Sequence, residues 1–170
     1  MKQVVLNNDM NLTIPEGFSE ITAAEVQAMT ACNGPAPMWN IMNKDAHILI
    51  TASWVKTGWI MSHLLNAKDM AKSLRNKYSS KLNVESVYGC HYGDIYETTL
   101  DGNKAFAFSC TYRAYSKEEN AIVDMIRETV VTKIGDVFYV FQSVCRDALK
   151  ENGFHSFHEV YDSVQFAAAA

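Results

Sequence analysis

Proline is scarce and confined to one end. Pro15, Pro35 and Pro37 are the only three, so nothing beyond residue 37 lacks a backbone N–H for a hydrogen-bond ladder. Long apolar runs are missing: none approaches the roughly 18–20 residues that a bilayer-spanning helix needs. The opening Met1–Asp9 turns polar too early for a signal-peptide core. A cytoplasmic protein is expected, although a trimmed leader or lipid anchor would leave the same sequence. Basic surplus is missing too. Fifteen Lys and Arg stand against 19 Asp and Glu, a net charge of −4, which argues against a nucleic-acid partner. Residues 86–170 hold 12 of the acids, so the second half carries nearly all of the negative charge.

Cysteine is sparse and unpaired in sequence. Cys32, Cys90, Cys110 and Cys145 form no C-x-x-C unit, and the last three sit in apolar, strand-like runs. They are expected to be reduced and buried as small hydrophobes. Cys32, in Cys-Asn-Gly-Pro, is the expected exposed thiol. The catalytic sequence patterns are also missing. There is no P-loop, G-x-G-x-x-G, G-x-S-x-G, H-E-x-x-H or EF-hand loop, so phosphate cradling, serine hydrolysis and helical zinc binding have no visible support.

What is present is an ordinary foldable composition. Hydrophobic residues make up 48% and charged residues 20% of 170, which excludes wholesale disorder. The length fits one domain, read as residues 1–166 with 167–170 as a disordered or appended tail. No fixed-period repeat occurs.

Local patterns give the elements. Asn11–Ile14 alternates and stops at Pro15-Glu16-Gly17, a strand and turn. Thr22-Ala23-Ala24-Glu25 is a capping box that starts a helix running to about Met29, with a stop at Asn33-Gly34-Pro35. Met38–Met42 and Ala46–Val55 make a hairpin around Asn43-Lys44-Asp45. Ile48, Ile50, Ala52 and Trp54 share one face of its second strand; His47, Leu49, Thr51 and Ser53 share the other. Ala67, Met70, Ala71, Leu74, Tyr78 and Leu82 predict a helix over 67–82, with Lys68, Lys72, Arg75, Lys77 and Lys81 on its polar side. From Glu85 the pattern is a four-strand meander: Ser86–Leu100, Lys104–Tyr115, Ile122–Ile134 and Val137–Cys145, with turns at Asp101-Gly102 and Gly135-Asp136. Phe106, Phe108, Cys110 and Tyr112 form one face of the second strand. The small residues Ala105, Ala107, Ser109 and Thr111 form the other, which suits a closely approaching helix. A last helix starts at 153 or 157, with the stripe Phe154, Phe157, Val160, Tyr161 and Val164.

These elements predict an α+β fold: a central antiparallel sheet of about six strands flanked by about three helices. The order of "Leu12-x-Ile14-Pro15-x-Gly17-Phe18", the Trp39 and Ile48–Ile50 hairpin, "Leu100-Asp101-Gly102-Asn103-Lys104-Ala105", Gly135–Tyr139 and "Tyr161-Asp162-Ser163-Val164-Gln165-Phe166" resembles the PsbP-like superfamily. That superfamily includes photosystem II extrinsic subunits and MOG-type Ran-binding nuclear import factors. The resemblance covers about residues 10–166. It implies an α/β/α sandwich that acts as a binding or accessory module and not as an enzyme. It carries no functional residue over.

Three segments are candidate sites. Trp54 and Trp59 bracket Val55-Lys56-Thr57-Gly58, and Trp59, Ile60 and Met61 occupy a connecting loop, where large apolar residues need either core cover or a partner. Tyr88, Cys90, Tyr92, Asp94 and Tyr96 alternate along one strand face, either a half-buried sheet surface or a recognition surface. His91 faces the other way between Gly89 and Gly93, where a hollow would admit a small ligand. His155, His158, Glu159 and Asp162 share a helix and are read as a polar face, with metal binding as the alternative. No metal or cofactor is assigned. The leading expectation is a non-catalytic module with a protein partner. A ligand pocket near Gly89–Gly93 is the alternative, and an enzyme using Cys32 or His91 is the third reading.

Overall fold

A computed structural model describes residues 1–29, 37–81 and 87–167. Cys32, the Asn33–Pro35 turn and Leu82 lie outside the described residues, as do the side chains of Tyr78 and Tyr88.

The strands are β1 (Lys2–Leu6), β2 (Met10–Ile14), β3 (Ser19–Glu20), β4 (Trp39–Asn43), β5 (Ile48–Lys56), β6 (Val87–Tyr92), β7 (Tyr96–Leu100), β8 (Asn103–Ser116), β9 (Ala121–Ile134), β10 (Val137–Arg146) and β11 (Gln165–Phe166). The helices are α1 (Ala23–Met29), α2 (Trp59–Leu64), α3 (Ala67–Lys81) and α4 (Lys150–Asp162). The expected antiparallel sheet is present, with eight strands in the described residues: β3-β4-β5-β10-β9-β8-β6, with β7 also on β8. A second small sheet, β1-β2-β11, contains the expected Asn11–Ile14 strand as β2; its partners β1 and β11 are not among the expected elements.

Turn chemistry sets the meander. Asp101 and Gly102 both take positive φ (48° and 71°), as a two-residue hairpin requires, and Gly135 does so at the next turn (59°). The capping box also forms. The Thr22 amide donates to Glu25 Oε2 at 2.7 Å and the Glu25 amide donates to Thr22 Oγ1 at 3.2 Å.

The two sheet faces carry two cores. On one face α3 lays Ala67, Met70, Ala71 and Leu74 over Phe106, Phe108 and Val131. On the other, α4 and the small sheet cover Ile48, Ile50, Ala52, Ala105, Ala107, Val130, Tyr139 and Phe141. The close helix approach is therefore not over the alanines of β8. It is over β10, where a Cβ on Gly153 would lie 2.4 Å from Cys145 Sγ. The last helix, expected to start at 153 or 157, instead starts at Lys150 behind a 3-10 turn at Asp147–Leu149, so Asn152-Gly153 lies inside α4.

The predicted strand over Ser86–Leu100 is two strands on one partner. Tyr88 pairs with Arg113 but His91 with Thr111, so Gly89 and Cys90 form a bulge, and Gly89 takes φ 62°. Tyr92 pairs with Cys110 but Tyr96 with Ala107, a second slip across Gly93-Asp94-Ile95. The Arg75 guanidinium from α3 donates to the Gly93 carbonyl at 3.2 Å and fixes that slip.

Candidate binding surface

The slips overturn the tyrosine row. Each inserted residue reverses the alternation, so Tyr92 and Tyr96 face opposite sides of the sheet. Tyr92 packs with Cys90, Cys110 and α3, and the Arg75 guanidinium lies 5.7 Å from its ring. Burial pushes the Tyr92 hydroxyl well above the usual tyrosine range. Tyr96 faces α4. The expected hollow at His91 is accounted for differently. A Cβ on Gly93 would meet Ser109 Oγ at 3.0 Å, so Gly93 permits close strand contact, and Gly89 supplies the bulge dihedral. His91 is exposed on the strand.

Tyr96 belongs to a polar cluster that the sequence reading did not identify. Its hydroxyl donates to Glu128 Oε1 at 3.3 Å. His158 Nε2 lies 3.9 Å from the same oxygen, and the Tyr161 hydroxyl is 2.7 Å from His158 Nδ1. Glu128 is 6% exposed, between Ser109 and Ser143 across the ladder, and its Oε2 has no partner among the described residues. Burial holds the Glu128 carboxyl above the usual carboxylate range, while His158 and the Tyr96 hydrogen bond oppose this. Burial, then the Glu128 charge, pushes Tyr96 up to about 12. The cluster can hold a proton between sheet and α4. His155 instead faces Glu159 at 3.7 Å, and among the described residues no three His, Cys, Asp or Glu side chains gather as metal ligands.

The Trp54–Met61 segment divides as well. Trp54 packs on the α4-side core. Trp59, Ile60 and Met61, expected in a loop, form α2 with Ser62, His63 and Leu64. Six residues are too few for a stable isolated helix. Local bonds and one lysine hold it. The Ser62 hydroxyl donates to the Trp59 carbonyl at 2.8 Å, and His63 Nδ1 lies 2.8 Å from the same oxygen. The Lys133 ammonium donates to the Ser62 carbonyl and, at 2.9 Å, to that of Leu65. These carbonyls are among those a helix C-terminus leaves open, and a cation there also complements the helix dipole.

None of the α2 side chains is buried. Trp59 is 76% exposed, Ile60 66%, Met61 47% and Leu64 69%. The helix is thus anchored through backbone carbonyls while its apolar side chains stand in water. Single exposed apolar residues are normal, but here four stand exposed on one short helix. No helix among the described residues is long and apolar enough to cross a membrane.

No family model matches this sequence, and no curated protein does. Solved structures do. The solution structure of cyanobacterial PsbP (CyanoP) from Synechocystis sp. PCC 6803 aligns over 97% of this chain and 91% of its own, with a TM-score of 0.63 and 9% identity. The Saccharomyces cerevisiae Ran-binding protein Mog1p aligns over 96% and 94%, at 0.54 and 11%. LpqN of Mycobacterium tuberculosis, involved in cell envelope biogenesis, aligns over 93% and 83%, at 0.51 and 16%. At these identities the likeness is one of architecture, and the chain has the PsbP- and Mog1-like fold.

Proposed function

We propose that this protein is a non-catalytic binding module that engages a protein partner through α2, with Trp59, Ile60, Met61 and Leu64 as the contact residues. The observation that carries the reading is a helix held by Lys133 through its carbonyls while it buries none of its own side chains. Transferring such side chains from water to an interface is favourable by about 25 cal/mol per Å² of apolar area, and Trp is a common interface anchor. A protein such as the Ran-binding Mog1p, similar in fold, is consistent with this kind of role. A cytoplasmic location is part of the proposal, supported by the free thiols of Cys90, Cys110 and Cys145.

Affinity capture from a lysate of the source cells, with the wild-type chain and with Trp59→Ala/Ile60→Ser, tests the reading. A partner retained by the wild type and lost by the variant is the expected outcome. Equal capture by both moves the site away from α2.

The ligand-pocket reading loses its basis, because Gly89 and Gly93 serve a bulge and a close contact. His91 and Tyr92 therefore have no part in the proposed surface, Tyr96 belongs with Glu128, and the side chain of Tyr88 lies outside the described residues.

A further inference from the structure

The charge around α2 indicates the chemistry of its occupant. Residues 54–81 contain Lys56, Lys68, Lys72, Arg75, Lys77 and Lys81 against Asp69 alone, a net of +5, while the rest of the chain sums to −9. Asp69 is engaged in the α3 cap: the Asn66 amide donates to its carboxylate at 3.3 Å, and the Asp69 amide donates to Asn66 Oδ1 at 3.0 Å. Arg75 turns inward to Gly93. Lys68 and Lys72 stay exposed, one helical turn apart, on the helix that directly follows α2. The four exposed apolar residues of α2 are thus followed directly in the chain by a short row of exposed cations.

We infer that the occupant of α2 is an acidic segment of a partner protein: its apolar residues cover Trp59, Ile60 and Leu64, and its carboxylates meet Lys68 and Lys72. This rests on the binding reading above. An anionic bilayer offers similar charge, but as a plane. The Lys68 ammonium lies 6.0 Å from the Phe106 ring centroid and that of Lys104 5.6 Å from the same ring, and Lys104 is bonded to Glu97 at 2.8 Å. Asp136 sits 3.4 Å from Lys56, which ends β5 just before α2. These carboxylates, held by neighbouring cations, would repel a broad anionic plane more than a narrow segment.

The test uses the full chain with a photo-crosslinking phenylalanine at position 60 or 64, irradiated in a lysate of the source cells, with the linked peptides sequenced by mass spectrometry. The expected linked segments carry a net charge of about −2 or lower within about ten residues of the link. Their yield should fall at least about fivefold between about 50 and 500 mM NaCl. Lys68→Glu/Lys72→Glu should lower the yield similarly, and Lys68→Gln/Lys72→Gln less, with unchanged circular dichroism melts showing that both variants fold. Neutral or basic linked segments, or a yield indifferent to salt and charge reversal, overturn the inference and leave the binding reading standing. Absence of any protein link at either position removes the reading itself. If the chain also sediments with phosphatidylserine vesicles in that case, a membrane is the occupant instead.

Discussion

The Lys133 ammonium donates to the Leu65 carbonyl at 2.9 Å, linking strand β9 to the end of α2. A hydrogen bond from a charged donor contributes about 1.5–3 kcal/mol. Lys133→Met keeps the aliphatic stem and removes the donor. Amide hydrogen exchange over residues 60–65 should then rise by about tenfold or more while core strands stay protected. Unchanged exchange would mean that α2 is held by some other contact.

The exposure of α2 separates binding from stability. Trp59→Ala and Leu64→Ser should each change unfolding free energy by less than about 0.5 kcal/mol, as surface substitutions do. Phe141→Ala, at a fully buried residue of the α4-side core, should cost about 3–5 kcal/mol. Denaturant midpoints decide. A large loss for Trp59→Ala would place that indole in the core.

Glu128 gives the fold a pH dependence with a definite sign. Its folded pKa is raised by burial, so the folded state holds the proton more tightly than the unfolded chain. Its stabilising contribution is complete below the ordinary Glu value of about 4.3 and is lost as pH rises through the folded value. Glu128→Gln removes this dependence. The melting-temperature difference between variant and wild type should therefore shift in the variant's favour as pH is raised from about 4. A difference that is flat with pH would show that Glu128 ionises normally in the fold.

Burial pushes the thiols of Cys110 and Cys145 up to about 11 each, and both side chains are inaccessible. The reactive species is the thiolate. Iodoacetamide at pH 8 should leave the peptides containing these two cysteines unmodified until the chain is unfolded, and Cys90, half-buried, should label ahead of both. Peptide-resolved mass spectrometry reads the order. Native labelling of Cys110 would contradict its packing against Cys90, Tyr92 and Tyr112.

Gly153 and Cys145 should show coupled energetics. In an open helix Gly→Ala stabilises by about 0.5–1 kcal/mol. Here the new methyl would lie 2.4 Å from Cys145 Sγ, so Gly153→Ala should cost about 1–3 kcal/mol instead. Removing the sulfur with Cys145→Ala leaves the Cβ at 3.3 Å, and the double variant should be more stable than the sum of the single effects. Additive effects would place α4 farther from β10.

The elements that sequence revealed are those fixed within a few residues. The Thr22–Glu25 box, the Asp101-Gly102 turn and the alternation of Phe106 to Tyr112 depend on neighbours only, and all are in the structure. What it hid depends on distant partners. The Tyr92/Tyr96 reversal arises from slips against β8 that no alternation pattern encodes. α2 looked like a loop because its six residues follow a glycine and bury nothing. Glu128 sits in an apolar strand, and its significance appears only when Tyr96 and His158 are placed beside it. Of the candidate residues, Trp59, Ile60 and Met61 fall together, while Trp54 belongs to the core.

Asn11 pairs with Gln165, and the Ala167 amide donates to the Asp9 carbonyl at 2.6 Å. Considered as a polymer, the chain is nearly a ring. Closing so long a loop adds only about 0.6 kcal/mol for each doubling of its length, but few encounters bring its ends together by chance. Local hairpins such as β8–β9 form without that search, and once the large sheet has drawn the two ends near each other the small sheet can close. Within the three-stranded sheet β1 and β2 are a local hairpin, so it is the short β2–β11 pairing that acts as the clasp between the two ends, beside the core beneath α4.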